Sequence, residues 1–207
     1  MNPLLLLVLV GLFYILIVGG ISLLRREGLS GQFALEALAI IALAILIGAA
    51  IGTTVDPILL FILLYLVTMR TRLLTDLANL LFKRRGYAAA ERLYRLALRL
   101  LPDRTGRFVA LTNWGVARLQ SGDIEGAIRT LNDVLVVAGE HGGLGAKFEA
   151  ACRYNLAVAY SKAGDDVKAV QQFNQVIERF PVTVYGQAAE RALKKRRERG
   201  LPKQDSD

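Results

Sequence analysis

Few side chains in this sequence could do covalent or redox chemistry, and those few stand apart from one another. There is one cysteine, Cys152, and one histidine, His141, which excludes a disulfide framework and nearly excludes a metal site built from Cys or His ligands. Cys152 falls in a stretch with helical spacing of apolar residues, so a buried, inert thiol is expected rather than a nucleophile. His141 sits among glycines, with no carboxylate or second histidine placed to orient it, and reads as a solvated loop residue. The run Gly139-Glu140-His141-Gly142-Gly143-Leu144-Gly145-Ala146-Lys147 has the glycines and lysine of a phosphate cradle. That cradle needs G-x-x-x-x-G-K-[ST] after a strand, and here Ala146 precedes Lys147 and Phe148 follows it. A flexible loop or lengthened helix connection is expected instead. Glu36 and Asp56 are the acids set in apolar surroundings, where a carboxylate can mark a proton or ion path. Glu36, near the start of its run, can equally snorkel or pair with Arg25 or Arg26; Asp56, just before Pro57, is placed to cap a helix. No nucleophile, base and acid are grouped, so no catalytic residue, metal site or cofactor is assigned and the chain is not read as an enzyme. The chemistry left is non-covalent recognition.

The elements that must position such recognition divide the chain in two. The first 69 residues contain only Arg25, Arg26, Glu27, Glu36 and Asp56 as charges, a net −1; the remaining residues hold 24 basic and 15 acidic side chains, +9. An oily front is joined to a basic back. Leu4 to Leu24 is apolar for about the 20 residues that cross a ~30 Å hydrocarbon core. It lacks a basic stretch before it and ends in Arg25-Arg26-Glu27 rather than a small-x-small cleavage site, so a retained membrane helix is expected, not a signal peptide. Phe33 to Ile51 is a second run, with Gly48 and Gly52 as small residues that could let another helix approach. After the turn at Thr53-Thr54-Val55-Asp56-Pro57, Ile58 to Met69 is apolar but covers only about 20 Å. To span, it must continue through Arg70 and Arg72. The expected membrane part is therefore residues 1–70, with helices at about 4–24, 33–52 and 56–72.

Basic residues favour the cytoplasmic side. Arg25-Arg26 and then Arg70, Arg72 and Lys83-Arg84-Arg85 fall inside, while the loop from Thr53 to Asp56 has no basic residue and fits outside. The expectation is a multi-pass protein of the inner, cytoplasmic membrane, N-terminus out and basic part in the cytoplasm. A third segment that only dipped into the bilayer would reverse this.

The basic part repeats itself. Leu111-x-x-Trp114-Gly115 is followed by Gly122-Asp123 and Ala127-x-x-x-Leu131; Leu156-Ala157-x-x-Tyr160 is followed by Gly164-Asp165, Ala169-x-x-x-Phe173 and Pro181. A less regular unit has Leu74, Leu77, Ala78 and Leu81, then Tyr87, Ala90, Tyr94, Ala97 and Pro102. These segments resemble tetratricopeptide repeats, ~34-residue helical hairpins patterned W-x-x-L-G-x-x-Y, A-x-x-x-F, P. Arg118 stands where the pattern has Tyr, and Arg153 where it has the first aromatic. Three hairpins are expected, at 71–104, 108–141 and 150–183. Small residues at Ala78, Gly115 and Ala157, and at Ala90, Ala127 and Ala169, would let paired helices approach closely. Residues 184–199 read as a capping helix, with Ala188, Ala189, Ala192 and Leu193 inward and Lys194-Lys195-Arg196-Arg197 outward, where cations suit the helix dipole. Residues 200–207 read as a disordered tail. The fold class is all-α: transmembrane helices followed by a short solenoid. The last membrane helix and the first repeat helix could form one continuous rod.

The resemblance implies a concave groove lined by the first helix of each hairpin. By register its candidate partner-binding residues are Asn79, Thr112, Asn113, Val116, Gln120, Tyr154, Asn155, Val158 and Lys162, with Arg72, Thr75, Asp76 and Phe82 at the membrane end. Asn113 and Asn155 are equivalent, and an amide there can serve both the N–H and the C=O of a bound backbone. Repeats of this family that clamp a chaperone's C-terminal carboxylate use basic residues beside such asparagines. Thr75, Ala151 and Asn155 stand there instead, which weighs against that partner. Nucleic acid would want aromatics interleaved with the basic groups, and Tyr87 and Tyr94 are used by the repeat. The expected function is a membrane-anchored adaptor or scaffold that recruits protein or peptide partners, themselves at the membrane, with self-assembly a further option. The alternative is an accessory subunit of a transporter or membrane enzyme whose transmembrane bundle is the active part.

Overall fold

The computed structural model describes residues 3–24, 30–53, 55–140, 145–198 and 200, and among them every element is helical. The order is α1 Pro3–Leu24, α2 Gly31–Ile51, α3 Pro57–Thr68, α4 Arg70–Lys83, α5 Tyr87–Arg99, α6 Arg104–Ser121, α7 Ile124–Glu140, α8 Ala146–Ala163, α9 Asp166–Arg179 and α10 Val184–Glu198. His141, Gly142, Gly143 and Leu144, the middle of the glycine-rich run, lie outside the described residues.

Helices α1 and α2 are long and apolar enough to cross a membrane. With α3 they pack around Leu7, Tyr14, Phe33, Ala37, Ile41, Ala44, Leu60 and Leu64. Tyr14 is wholly buried, edge-on to Phe61 and tilted against Phe33. Its hydroxyl lies 2.6 Å from Thr68 Oγ1, whose own proton goes to the Leu64 carbonyl, so the tyrosine is the donor. A polar bond of this kind is one way to pin helices where apolar contact alone discriminates little. The outward faces carry Leu9, Phe13, Leu16, Leu38, Leu46, Leu59 and Leu66, all exposed. Bare apolar side chains in such number form the kind of patch that membrane or protein–protein contacts cover.

Two details differ from the expectations above. Gly52 is not a packing residue: it ends α2 in the left-handed conformation (φ 73°), its N–H bonded to the Gly48 carbonyl. The close approach falls at Gly11, where an added Cβ would meet Ile41 Cδ1 at 2.3 Å. Asp56 does cap α3, accepting from the N–H groups of Ile58 and Leu59, with Pro57 at the first helical position. The third apolar segment, however, is not one helix over 56–72, and there is no continuous rod. It stops at Thr68, turns at Met69, and α4 leaves at 70°. The reason lies in Arg70, whose side chain turns back onto the bundle instead of reaching on to water.

Beyond Met69 the helices pair as hairpins: α4 with α5, α6 with α7, α8 with α9. Gly122 (φ 93°) and Gly164 (φ 80°) close α6 and α8 in a conformation that costs other residues a Cβ clash. Asp123 and Asp165 then accept from the N–H groups of Gly126 and Lys168 to start the second helix. Where helices cross, Ala78, Ala90, Ala127, Ala157 and Ala169 are almost wholly buried, and a Cβ on Gly115 would stand 2.7 Å from Leu131 Cγ. The α10 helix closes the stack, laying Ala189 and Leu193 on Phe173 and Val176. Arg196 departs from the expected outward basic run: it is turned inward and bonds Ser161 and Asp166.

Candidate functional site

The first helices α4, α6 and α8 pack side by side and carry the register-matched side chains, each held differently. Asn113 Nδ2 donates to the Val109 carbonyl and Asn155 Nδ2 to the Ala151 carbonyl, both at 2.8 Å and both four residues back. This fixes each amide against its own helix while leaving the amide oxygen and one N–H for a ligand. Val116 and Val158 flank them, half-buried, and Gln120 and Lys162 stand exposed one turn further on. Thr112 Oγ1 is buried with no hydrogen-bond partner. Tyr154 is committed to the stack: its ring packs edge-on to Phe173 at 5.7 Å and against Tyr185 of α10 at 5.8 Å. Asn79 is tied as well, its Oδ1 accepting from the Tyr94 hydroxyl at 2.5 Å, and Thr75 is buried, donating to the Thr71 carbonyl. In the first hairpin, therefore, Thr75 and Asn79 are occupied within the stack, whereas Asp76 is exposed.

Where this sequence puts arginine in place of the pattern's aromatics, polar networks take over the aromatics' bridging. Arg118 donates to Thr130 Oγ1 (2.9 Å), ion-pairs with Glu91 of α5 and Asp123, and stacks over Trp114 at 4.2 Å. One side chain thereby links three helices. Arg153 donates to Glu149 (2.8 Å) and Gln175 (2.6 Å), and Glu149 accepts a further bond from Arg179 at 2.6 Å. The planar, multi-donor guanidinium suits such seams better than lysine would. Cys152 is buried with Sγ 3.3 Å from the Leu131 carbonyl, and burial pushes its thiol up to about 12, out of the range where a thiolate forms near neutrality.

The feature that sequence reasoning missed is the junction between bundle and hairpins. Arg70 grips Glu36 in bidentate fashion, NH1 to Oε2 at 2.6 Å and NH2 to Oε1 at 2.8 Å. Its other donors reach the carbonyls of Val67, Leu100 and Leu101 at 2.7, 2.7 and 2.8 Å. All five N–H groups are used. Gln32 joins them, bonding both Glu36 and the Leu101 carbonyl. Glu36 thus pairs with Arg70; Arg25 and Arg26, the partners expected for it, lie outside the described residues. Beside this cluster is a cavity of about 370 Å³, lined by Val18, Phe33 and Met69 on the bundle side and by Arg72, Asp76 and Asp103 on the hairpin side. The only sequence signal was a carboxylate one turn into an apolar run and an arginine at the end of another.

Stacked antiparallel hairpins with small residues at every crossing and an amphipathic cap define a helical-repeat protein. Residues 151–181, spanning most of α8 and α9, match the tetratricopeptide repeat family, so the chain carries a tetratricopeptide repeat. No curated protein and no solved structure matches the chain.

Proposed function

We propose that this protein is a membrane-anchored adaptor whose repeat groove recruits protein or peptide partners at the cytoplasmic face of the membrane. Residues 1–70 would be the membrane part, 71–183 the three-hairpin groove and 184–199 its cap, with the N-terminus outside. The observation that carries the reading is the pair Asn113 and Asn155: equivalent amides on successive first helices, each held by its own backbone with hydrogen-bonding capacity left over. Arg70 supports it by tying the repeats to α2, one of two apolar helices of membrane-crossing length. The rival reading, an active transmembrane bundle, loses its two acids to structural work, since Asp56 caps α3 and Glu36 is neutralised by Arg70.

Two experiments test the proposal. Photo-crosslinking side chains placed at Gln120 and Lys162, at register-matched positions, should give a shared adduct in cells that Arg129, exposed on α7, does not. Equal adducts from all three positions would remove the groove as the binding surface. Cysteine labelling in intact cells, with Cys152→Ala, should mark Thr53→Cys and spare Val182→Cys; the reverse pattern would place the repeats outside.

A further inference from the structure

The first hairpin differs from the other two in what covers its leading edge. By repeat register Leu77 and Leu80 of α4 correspond to Trp114 and Ala117 of α6 and to Leu156 and Ala159 of α8. In α8 both are wholly buried, Leu156 in a cluster with Leu131 and Val134 of the preceding α7. In α6, Ala117 is covered by Ala90 and Tyr94 of the preceding α5. Leu77 and Leu80 are each 45% exposed, for no hairpin precedes α4. A solenoid normally ends in a polar or capped surface, and α10 provides one at the far end. This end is left apolar, and Leu96 (42% exposed) on α5 and Leu101 (78%) in its following loop are bare as well.

Three relationships indicate what covers it. Arg70 lies seven residues before Leu77, hence on the same line of α4, and its guanidinium is bonded to Glu36, inside apolar α2. The carbonyls of Leu100 and Leu101 meet that same guanidinium, and Leu101 also meets Gln32; the loop is thus held at the level of α2's first turns. Finally, α4 leaves α3 at 70°, close to the bilayer plane for a membrane-crossing α3, and it leads into Lys83-Arg84-Arg85, exposed cations suited to anionic headgroups.

We infer that the bilayer leaflet itself caps the solenoid: Leu77, Leu80, Leu96 and Leu101 rest at the boundary of headgroups and acyl chains, where a preceding hairpin would otherwise stand. The inference rests on the membrane-crossing reading of α1 to α3 and is independent of the groove. It makes the lipid surface a structural partner of the first repeat. It also fixes the groove's tilt relative to the membrane.

The test uses the full-length chain with Cys152→Ala and one cysteine at Phe13, Leu80, Leu101 or Val167, all exposed positions. Each is labelled with a polarity-sensitive dye in phosphatidylethanolamine/phosphatidylglycerol vesicles, with and without lipid spin-labelled near the top of the acyl chain. Leu80 and Leu101 should be quenched several-fold more than Val167 and their emission shifted to the blue. Quenching at Phe13 with Leu80 and Leu101 at the level of Val167 would overturn the inference and leave the membrane reading intact. No quenching at Phe13 would overturn both. Protection of Leu80 that fades on dilution into excess lipid would replace the leaflet by a second copy of the chain.

Discussion

The Arg70 guanidinium and the Glu36 carboxylate, 34 positions apart in sequence, meet in a two-point ion pair that joins the first repeat helix to the second apolar helix. The pair lies at the end of α3, where the chain changes direction by 70°, and it accounts for that turn. An arginine leaving an apolar helix must find acceptors for five N–H groups, and here all are within reach if the helix breaks at Met69.

Removing one partner should therefore cost more than removing both. Arg70→Met would leave the Glu36 carboxylate unpaired at an apolar boundary, with an expected loss of about 3 kcal/mol. Arg70→Met combined with Glu36→Leu should recover part of it. Thermal denaturation in detergent checks this; a double variant less stable than the single would mean the pair is not coupled.

At Gly115 α6 and α7 approach closely, with Leu131 Cγ and Cδ2 at 2.7 and 2.8 Å from a built Cβ. Gly115→Val should destabilise the hairpins by about 1–3 kcal/mol through overpacking. Adding Leu131→Ala should relieve part of the loss. Hydrogen exchange should show the faster opening confined first to α6 and α7.

In the groove, Asn113→Ala with Asn155→Ala should abolish partner crosslinking from Gln120 while shifting the melting temperature little, because each amide bonds only its own helix. Tyr154→Ala should behave differently, lowering stability by about 3 kcal/mol or more through lost packing on Phe173 and Tyr185. A double-asparagine variant that still crosslinks normally would show that the amides do not bind.

Cys152 should resist thiol reagents in the native protein, since it is buried and its thiol is pushed up to about 12. Its modification should follow the opening of α8 away from α7, speeding up with denaturant. Rapid labelling of native protein at neutral pH would contradict the packing of that seam.

Burial raises the Tyr94 hydroxyl from 10.0 to about 12. The folded state thus holds the proton more tightly than the unfolded one. This contribution is fully present below pH 10 and fades as the pH rises towards 12. Tyr94→Phe should flatten that part of the stability profile and, by orphaning Asn79 Oδ1, cost about 1 kcal/mol. Ultraviolet titration of phenolate checks the assignment: the last tyrosine to ionise should vanish in the variant.

Much of the repeat was legible beforehand because its physics is local and recurrent. Gly122-Asp123 and Gly164-Asp165 announce a left-handed stop and a capped restart whatever surrounds them, and a small residue four before a bulky one marks a close crossing. The arginines at positions 118 and 153 read only as departures from that pattern. Their partners Glu91, Thr130, Gln172 and Gln175 lie on other helices, at separations carrying no periodic signal.

The sequence by itself determined that the chain has an apolar front and a basic, repeating back, since length, hydropathy and 3.6-residue spacing are properties of each segment alone. It also determined which residues share a face of each first helix. Only the tertiary structure decided that Glu36 answers to Arg70, that Tyr14 holds Thr68, that Asn79 and Tyr154 serve the stack, and that the leading edge of α4 stays bare. Those outcomes depend on which helices converge, and convergence is set by the summed packing of distant segments, which no single stretch of the chain encodes.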